Sequence, residues 1–323
     1  MRLLVLVPFK EDHMARIREA AGPDSTVEQL VVKNPKPFDT SLRDAIMQAD
    51  VVIGEPPLKL LHSEGIPVKW VQMTWAGTDM YTDTVSGFPE GMVLTNVAGA
   101  AYGHIMSQYV VGQILAITQN LGMYARQQLT TSWTDLGENM TLEGANVLIY
   151  GAGDIGQCVA KRLSGFDCAR ITGVCRDTEK PRPHFDELVS LQRAEFLLPQ
   201  ADVVVGCIPN APQTKRYFND RRLRLIKQGG VLVNVGRGNF VDGEALNNVL
   251  SEGLLRGAAL DVTDPEPLPH NHPLWRNPRC LITPHVSGGA FAHSEGTEER
   301  ICEICCDNLR RYRAGEELAH RVC

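Results

Sequence analysis

The stretch Val147-Leu-Ile-Tyr-Gly-Ala-Gly-Asp-Ile-Gly156 decides the fold. An apolar run ends in Gly-x-Gly-x-x-Gly, and Val159, Ala160 and Leu163 then recur at helical spacing. A strand, a glycine turn and a helix N-terminus in that order are what a dinucleotide pyrophosphate needs. Gly151 makes the tight turn, Gly153 lets backbone approach the phosphates, and Gly156 lets helix pack on strand. The helix N-terminus adds free N–H groups and partial positive charge for the anion. The motif sits near the middle of a 323-residue chain, so the first half needs a role of its own, and the length predicts two domains.

Working outward, composition narrows the class. Hydrophobic residues at 43% and charged residues at 22% are ordinary for a soluble globular protein. A net charge of −6 argues against a nucleic-acid or anionic-membrane partner. No apolar run reaches the roughly 18 residues of a membrane-spanning helix. Met1–Pro8 is basic and then apolar, but Lys10, Glu11 and Asp12 follow without a small-residue cleavage site, so it reads as a buried first strand. The nine cysteines are odd in number and scattered. Cys302, Cys305 and Cys306 share one helix face as small apolar residues, with no second Cys or His pair to complete a metal site. His270 and His272 flank Asn271 without a third ligand and read as loop residues. No metal is expected, and the thiols point to a reducing, cytoplasmic location.

The first part of the chain alternates strand-like and helix-like segments. Strands are expected at Leu3–Val7, Thr26–Val32, Asp50–Ile53, Lys69–Met73 and Val93–Thr95, and helices at Asp12–Ala21, Thr40–Gln48 and Leu58–Leu61. A long apolar helix is expected over Ala100–Leu121, then a polar loop over Gln127–Glu143 carrying Trp133. The rhythm restarts at Asn146, with strands Arg170–Val174, Val203–Cys207, Val231–Val235, Gly257–Asp261 and Leu281–Thr283. Helices are expected at Ile155–Leu163, Arg221–Ile226 and Asp242–Glu252, and a last one at Glu295–Arg313 returns to the first domain. The fold class is therefore α/β, with two doubly wound parallel sheets. The second domain, 100–287, is inserted into a discontinuous first one, 1–99 plus 288–323.

Ligands of open α/β sheets lie outside the carboxyl ends of the strands. Arg237, in Val-Gly-Arg-Gly, follows one expected strand; Asp261 ends the next, with Glu266 just beyond; His285, in Thr-Pro-His-Val-Ser-Gly-Gly, follows the last. Hydride addition to a carbonyl leaves an alkoxide that needs a proton. Histidine, with an ordinary pKa of about 6.5, is a natural donor, and a neighbouring carboxylate favours its imidazolium form. An arginine grips a carboxylate through two parallel hydrogen bonds and polarises an adjacent carbonyl. A 2-oxo acid presents both groups on adjacent carbons.

Five ordered stretches carry a family resemblance: Gly151–Gly156, Cys207-Ile-Pro-Asn-Ala-Pro-Gln-Thr214, Asn234-Val-Gly-Arg-Gly-Asn-Phe-Val-Asp242, Ala259-Leu-Asp-Val-Thr-Asp-Pro-Glu-Pro-Leu-Pro269 and Thr283-Pro-His-Val-Ser-Gly288. Together they resemble the cofactor domain of the D-isomer-specific 2-hydroxyacid dehydrogenases, of the glyoxylate/hydroxypyruvate reductase kind. The first domain matches more loosely, through Trp75-Ala-Gly-Thr-Asp79 and Thr95-Asn-Val-Ala-Gly99. The resemblance implies two Rossmann-like domains, the first flavodoxin-like, and a homodimer built through the cofactor domain. It implies that His285 exchanges the proton, Glu266 pairs with it and Arg237 orients the substrate. Backbone N–H groups at Ala76 and Gly77 would hold the substrate carboxylate, and Asp261 would bind the nicotinamide carboxamide. Asp154, Ile155, Ile208, Pro209 and Val235 join the residues that line the cofactor.

Departures from the family pattern sharpen the expectation. The strand Arg170-Ile-Thr-Gly-Val-Cys-Arg-Asp177 has Cys175 where NAD-preferring members place an Asp for the ribose hydroxyls, and Arg176 follows. Loss of the carboxylate and gain of a cation favour NADP over NAD, unless Asp177 takes the ribose in a shifted register. Gln108 and Asn210 also depart from the pattern without touching the catalytic set. Met73, Trp75 and Met80 are candidates to line a pocket or to pack in the core. The reading is an NAD(P)-dependent reductase of glyoxylate, hydroxypyruvate or a larger 2-oxo acid. One alternative is a nucleotide-sensing, co-repressor-like binding protein, which has no need of the Arg237–Glu266–His285 set. Another is a phosphoglycerate-type dehydrogenase, which would want a cationic cluster facing the phosphate and has Lys59 and Lys69 near the expected cleft. A formate dehydrogenase fits less well, because a one-carbon substrate needs no proton donor.

Overall fold

The computed structural model describes residues 1–31, 40–82, 85–99, 101–291 and 294–323. In chain order the elements are β1 (Arg2–Val5), α1 (Glu11–Ala21), β2 (Thr26–Gln29), α2 (Thr40–Ile46), β3 (Val51–Ile53), α3 (Leu58–Leu61), β4 (Trp70–Gln72), α4 (Asp79–Thr82) and β5 (Val93–Thr95). There follow α5 (Gly103–Thr118), α6 (Leu121–Leu129), β6 (Asn146–Tyr150), α7 (Asp154–Leu163), β7 (Arg170–Val174), β8 (Glu187–Val189), α8 (Leu191–Glu195) and β9 (Val203–Gly206). The last are α9 (Asp220–Leu225), β10 (Gly230–Asn234), α10 (Gly243–Ser251), β11 (Leu255–Leu260), β12 (Cys280–Ile282) and α11 (Glu295–Ala314). The chain divides into two compact units, Met1–Tyr102 with Gly289–Cys323, and Gly103–Gly288. Among the described residues no helix is long and apolar enough to cross a membrane.

The first unit holds a five-stranded parallel sheet in the order β2-β1-β3-β4-β5. Order reverses between β1 and β3, which places a switch point beside the residues after β3. Val51, Val52 and Ile53 are all buried, as a strand covered on both faces requires. One face packs Leu42, Ile46, Val52, Val71 and Leu94 into an apolar cluster. On α1, Met14 and Ile17 are buried, and α11 runs against this helix: His13 lies 3.2 Å from Glu298, Arg16 pairs with Glu299, and Arg313 donates to the Ala20 carbonyl. Trp70 stacks on Tyr312 with ring centroids 5.2 Å apart. Cys302, Cys305 and Cys306 are buried on α11, as their spacing predicts.

The second unit holds a seven-stranded parallel sheet in the order β12-β11-β10-β9-β6-β7-β8. The switch point falls between β6 and β9, so the loops after these two strands open the crevice where a ligand is expected. Every residue of β9 and β10 is buried. Aromatic rings of Tyr150, Tyr217, Phe218 and Phe240 meet edge to face and stacked at 5.0–5.7 Å, which locks the loops after β9 and β10 together.

Two expectations need correction. The long helix expected over Ala100–Leu121 ends early, as α5 at Thr118, and a second helix that was not expected, α6, starts at Leu121 beyond Asn120, whose φ of 56° is left-handed. Arg256 supplies the reason: its guanidinium donates to the Ile117 carbonyl at 3.4 Å, the Thr118 carbonyl at 3.2 Å and the Asn120 side chain at 3.4 Å. It captures the carbonyls that a continuing helix would have bonded. An apolar run carries no mark of such a distant cap. The short β8 and α8, where Ser190 caps by accepting from the Arg193 N–H at 3.3 Å, fall in a stretch where no element is expected. Residues 130–145 form no helix or strand, but the expected loop begins late, since α6 runs to Leu129. The Val32 end of the second expected strand and the start of the long helix at 100 lie outside the described residues.

Candidate active site

The glycine turn after β6 shows why two of its three glycine positions exclude side chains. Gly151 has φ 107°, and a Cβ there would stand 2.7 Å from the Cys207 carbonyl oxygen across the switch point. A Cβ on Gly156 would collide with the Gly151 carbonyl oxygen. Gly153 differs: nothing lies within 4 Å of where its Cβ would be, so the space it leaves faces outward, as a cradle for phosphate requires. Gly153 caps α7 without a side-chain bond, which leaves first-turn N–H groups for an anion. Asp154 is committed elsewhere through its side chain, which accepts the Gly103 N–H at 3.0 Å and so caps α5. Ile155 and Ile208 are half-buried, Pro209 is exposed and Val235 is buried.

At the end of β7, the Cys175 thiol donates to the Asp177 carbonyl at 3.2 Å. Burial pushes this thiol up, against the pull of nearby Arg182. Arg176 is exposed. Asp177 Oδ1 accepts the N–H groups of Glu179 at 3.2 Å and Lys180 at 3.3 Å and so ties its own turn. Arg182 was not singled out in the sequence. Its buried Nε has no hydrogen-bond partner among the described residues.

The loops after β10, β11 and β12 converge. Asn234, fully buried, accepts the Gly236 N–H at 3.2 Å and donates to the Arg237 carbonyl at 2.9 Å, which splints the turn carrying Arg237. A Cβ on Gly236 would press on Ile208 backbone at 2.6 Å, and one on Gly238 would collide with the Thr263 carbonyl. The glycines around Arg237 are therefore demanded by backbone approach. Arg237 itself donates to the Gly236 carbonyl at 2.9 Å.

Asp261, 1% exposed, is the hub of the next loop. Its Oδ1 accepts the Thr283 hydroxyl at 2.6 Å and the Val286 N–H at 2.9 Å; its Oδ2 accepts the Ser287 N–H at 2.9 Å. Since the Thr283 proton goes to Asp261, the Tyr109 hydroxyl 2.6 Å away must donate to Thr283. Burial pushes the Tyr109 hydroxyl up to about 12 and keeps it a donor. A carboxylate has about four acceptor positions, so one on Oδ2 remains for a further N–H. His285 sits in this loop with φ 54°, a strained region for a side-chain-bearing residue, and its N–H donates to the Asp261 carbonyl at 2.9 Å. His285 Nδ1 lies 2.6 Å from Glu266 Oε1, and both side chains are about half exposed. The carboxylate makes Nδ1 the donor, which leaves Nε2 for another partner.

In the first unit, the turn after β4 has its polar groups taken up one by one. Glu55 Oε1 accepts the N–H groups of Thr74 at 2.7 Å and Trp75 at 3.1 Å. The Tyr102 hydroxyl donates to the Thr74 carbonyl at 2.8 Å, and Asn96 Nδ2 to the Ala76 carbonyl at 2.8 Å. The Ala76 and Gly77 N–H groups come next and have no partner among the described residues. Two consecutive free N–H groups are what an anion site needs. Trp75 and Met80 are exposed, whereas Met73 is fully buried in the core and lines nothing. Lys69 precedes β4 and so sits at the amino end of the sheet, away from any ligand edge, which corrects its expected place near a cleft. His272 caps the turn before Leu274 by accepting its N–H at 3.3 Å. Among the described residues no group of three or more His, Cys, Asp or Glu side chains is placed to hold a metal.

Comparison with known proteins agrees with this geometry. Residues 111–287 match the family model described as D-isomer specific 2-hydroxyacid dehydrogenase, NAD binding domain. A glyoxylate reductase of Thermofilum pendens is 30% identical over 281 residues, covering 84% of this chain and 76% of its own. A D-isomer specific 2-hydroxyacid dehydrogenase family protein from Aeromonas salmonicida has a crystal structure with TM-score 0.83 and 31% identity, covering 100% of this chain and 98% of its own. The NADPH-dependent glyoxylate/hydroxypyruvate reductase of Sinorhizobium meliloti, solved with NADP and sulfate, shares the fold at TM-score 0.79 and 22% identity, over 99% of this chain and 98% of its own.

Proposed function

The chain belongs to the D-isomer specific 2-hydroxyacid dehydrogenase family, and from that premise we propose that it reduces a small 2-oxo acid, such as glyoxylate or hydroxypyruvate, to the D-2-hydroxy acid with NADPH. The observation that carries the reading is the 2.6 Å pair of His285 Nδ1 and Glu266, which frees Nε2 for the substrate oxygen. The dinucleotide, when bound, supplies the hydride. The turn Gly151–Gly156 and the helix start behind it hold its pyrophosphate, and the spare acceptor on Asp261 Oδ2 suits a carboxamide N–H. His285, as imidazolium, gives its Nε2 proton to the carbonyl oxygen as the alkoxide forms, and takes it back in the reverse direction. Glu266 stabilises that imidazolium and fixes its tautomer. Arg237 orients the substrate and polarises its carbonyl. The Ala76 and Gly77 N–H groups bind a carboxylate oxygen.

NADPH preference is supported by Cys175 in place of an acidic residue, by exposed Arg176, and by the self-engaged carboxylate of Asp177. Arg182, with its unpaired Nε, is a second cation for a 2′-phosphate. A homodimer through the second unit is supported by Leu121, Leu129 and Trp133, at 54%, 87% and 102% exposure, on and after α6. The test is a spectrophotometric panel of 2-oxo acids with NADPH and NADH in parallel. Turnover with NADPH preferred is expected. Tight dinucleotide binding with no turnover across the panel would return the protein to the sensor class.

A further inference from the structure

Glu55 is a carboxylate at the switch point of the first unit, just past β3, and the reduction scheme does not use it. Its Oε1 accepts from the Thr74 and Trp75 N–H groups at 2.7 and 3.1 Å. The Thr74 hydroxyl stands 3.0 Å from Oε1 and 3.1 Å from Oε2. These bonds take the two N–H groups immediately before Ala76 and Gly77. We propose that Glu55 is a positioning residue that shapes the Thr74–Gly77 turn, so that the Ala76 and Gly77 N–H groups alone are presented to the substrate's carboxylate. The inference rests on the reductase reading of the site.

The geometry accommodates either protonation state. With Glu55 ionised, the Thr74 hydroxyl donates to Oε2; with Oε2 protonated, the same hydroxyl accepts from it, while Oε1 keeps both N–H groups. The turn therefore holds its shape while the charge beside it changes. Burial pushes the Glu55 carboxyl up to about 7, against the three hydrogen bonds from Thr74 and Trp75. The groups that feel its charge are Tyr81, Tyr102 and Cys305, each held toward its neutral form chiefly by burial, so among the described residues no neighbouring cation is seen to pin Glu55 ionised. A substrate anion bound one residue along the turn meets repulsion from ionised Glu55 and none from the neutral acid.

Glu55→Ala and Glu55→Gln are compared with wild type for KM of the best 2-oxo acid, kcat and the NADPH Kd from fluorescence, over a pH range spanning 6 to 8.5. Glu55→Ala leaves two N–H groups to compete for the anion or to reshape the turn. Its KM is expected to rise about tenfold or more, with the NADPH Kd and kcat little changed. Glu55→Gln keeps an acceptor and is expected to restore KM near its low-pH wild-type value. It should also abolish the rise of wild-type KM above the pH where Glu55 ionises. Wild-type KM in Glu55→Ala, or the same pH dependence of KM in Glu55→Gln as in wild type, overturns the proposal while the reductase reading stands. Should Glu55→Ala fail to fold, the Glu55→Gln profile decides alone. A wild-type enzyme that reduces no 2-oxo acid removes the reductase reading and this inference with it.

Discussion

The turn after β6 and the turn after β4 both leave backbone N–H groups for an anion, by opposite means. After β6 the side chains are removed: Gly151 and Gly156 admit backbone where a Cβ cannot go, and Gly153 opens outward. After β4 the side chains are added: Glu55, Tyr102 and Asn96 bind the neighbouring polar groups until the Ala76 and Gly77 N–H groups remain. The first device is steric and insensitive to pH. The second is a hydrogen-bond network that includes a titratable group. On the proposed reading, a rigid phosphate cradle and a tunable carboxylate site follow from that difference.

The comparison breaks most severely at Gly156. Gly156→Ala should abolish measurable NADPH binding in fluorescence titration, or prevent folding, because the Gly151 carbonyl occupies the place of the new methyl. Next, His285→Gln should lower kcat by about 10²–10⁴ with the NADPH Kd unchanged in the same titration. That would separate the chemistry of the second unit from its cradle. Arg176→Ala and Arg182→Ala should each weaken NADPH by about tenfold and leave NADH within twofold, measured as paired Kd values.

The smallest effect is on stability. The Glu55 carboxyl is raised in the folded state from 4.5 to about 7. Its contribution is therefore fully present below the unfolded value and is lost as pH rises through the folded one. The melting temperature of Glu55→Gln relative to wild type should accordingly increase by a few degrees between pH 5 and 8, followed by calorimetry. A flat difference would make the two turns alike after all.

This contrast also marks what the sequence discloses. Glycines that serve a local turn are written within six residues, so the cradle at Gly151–Gly156 is legible at once. Arg237, Glu266 and His285 are legible because each follows a strand of the second unit's sheet, and the structure brings Glu266 and His285 within hydrogen-bond distance. Glu55 obeys the same strand-end logic after Val51–Ile53, so the signal was there, but its partners lie 19 and 20 residues away and no local spacing announces them. The Arg256 cap on Thr118 spans 138 residues, and the helix break it imposes has no local trace. Tyr109, Thr283 and Asp261 form a chain whose first link is 174 residues long. The element edges, by contrast, mostly fall within two residues of their expected bounds, since strand and helix periodicities are local properties.

The pairing of α1 with α11 has a consequence for synthesis on the ribosome. Residues His13, Arg16 and Ala20 of α1 leave the ribosome well before α11, the helix that meets them, because the whole second unit is made in between. At about 5–20 residues per second, the interval is on the order of ten seconds or more. Residues Gly103–Gly288 can finish their own sheet during that wait, while the first five strands remain an open half. The side of α1 that meets α11 therefore stays uncovered while the second unit is made, and it is a natural point for a chaperone to hold.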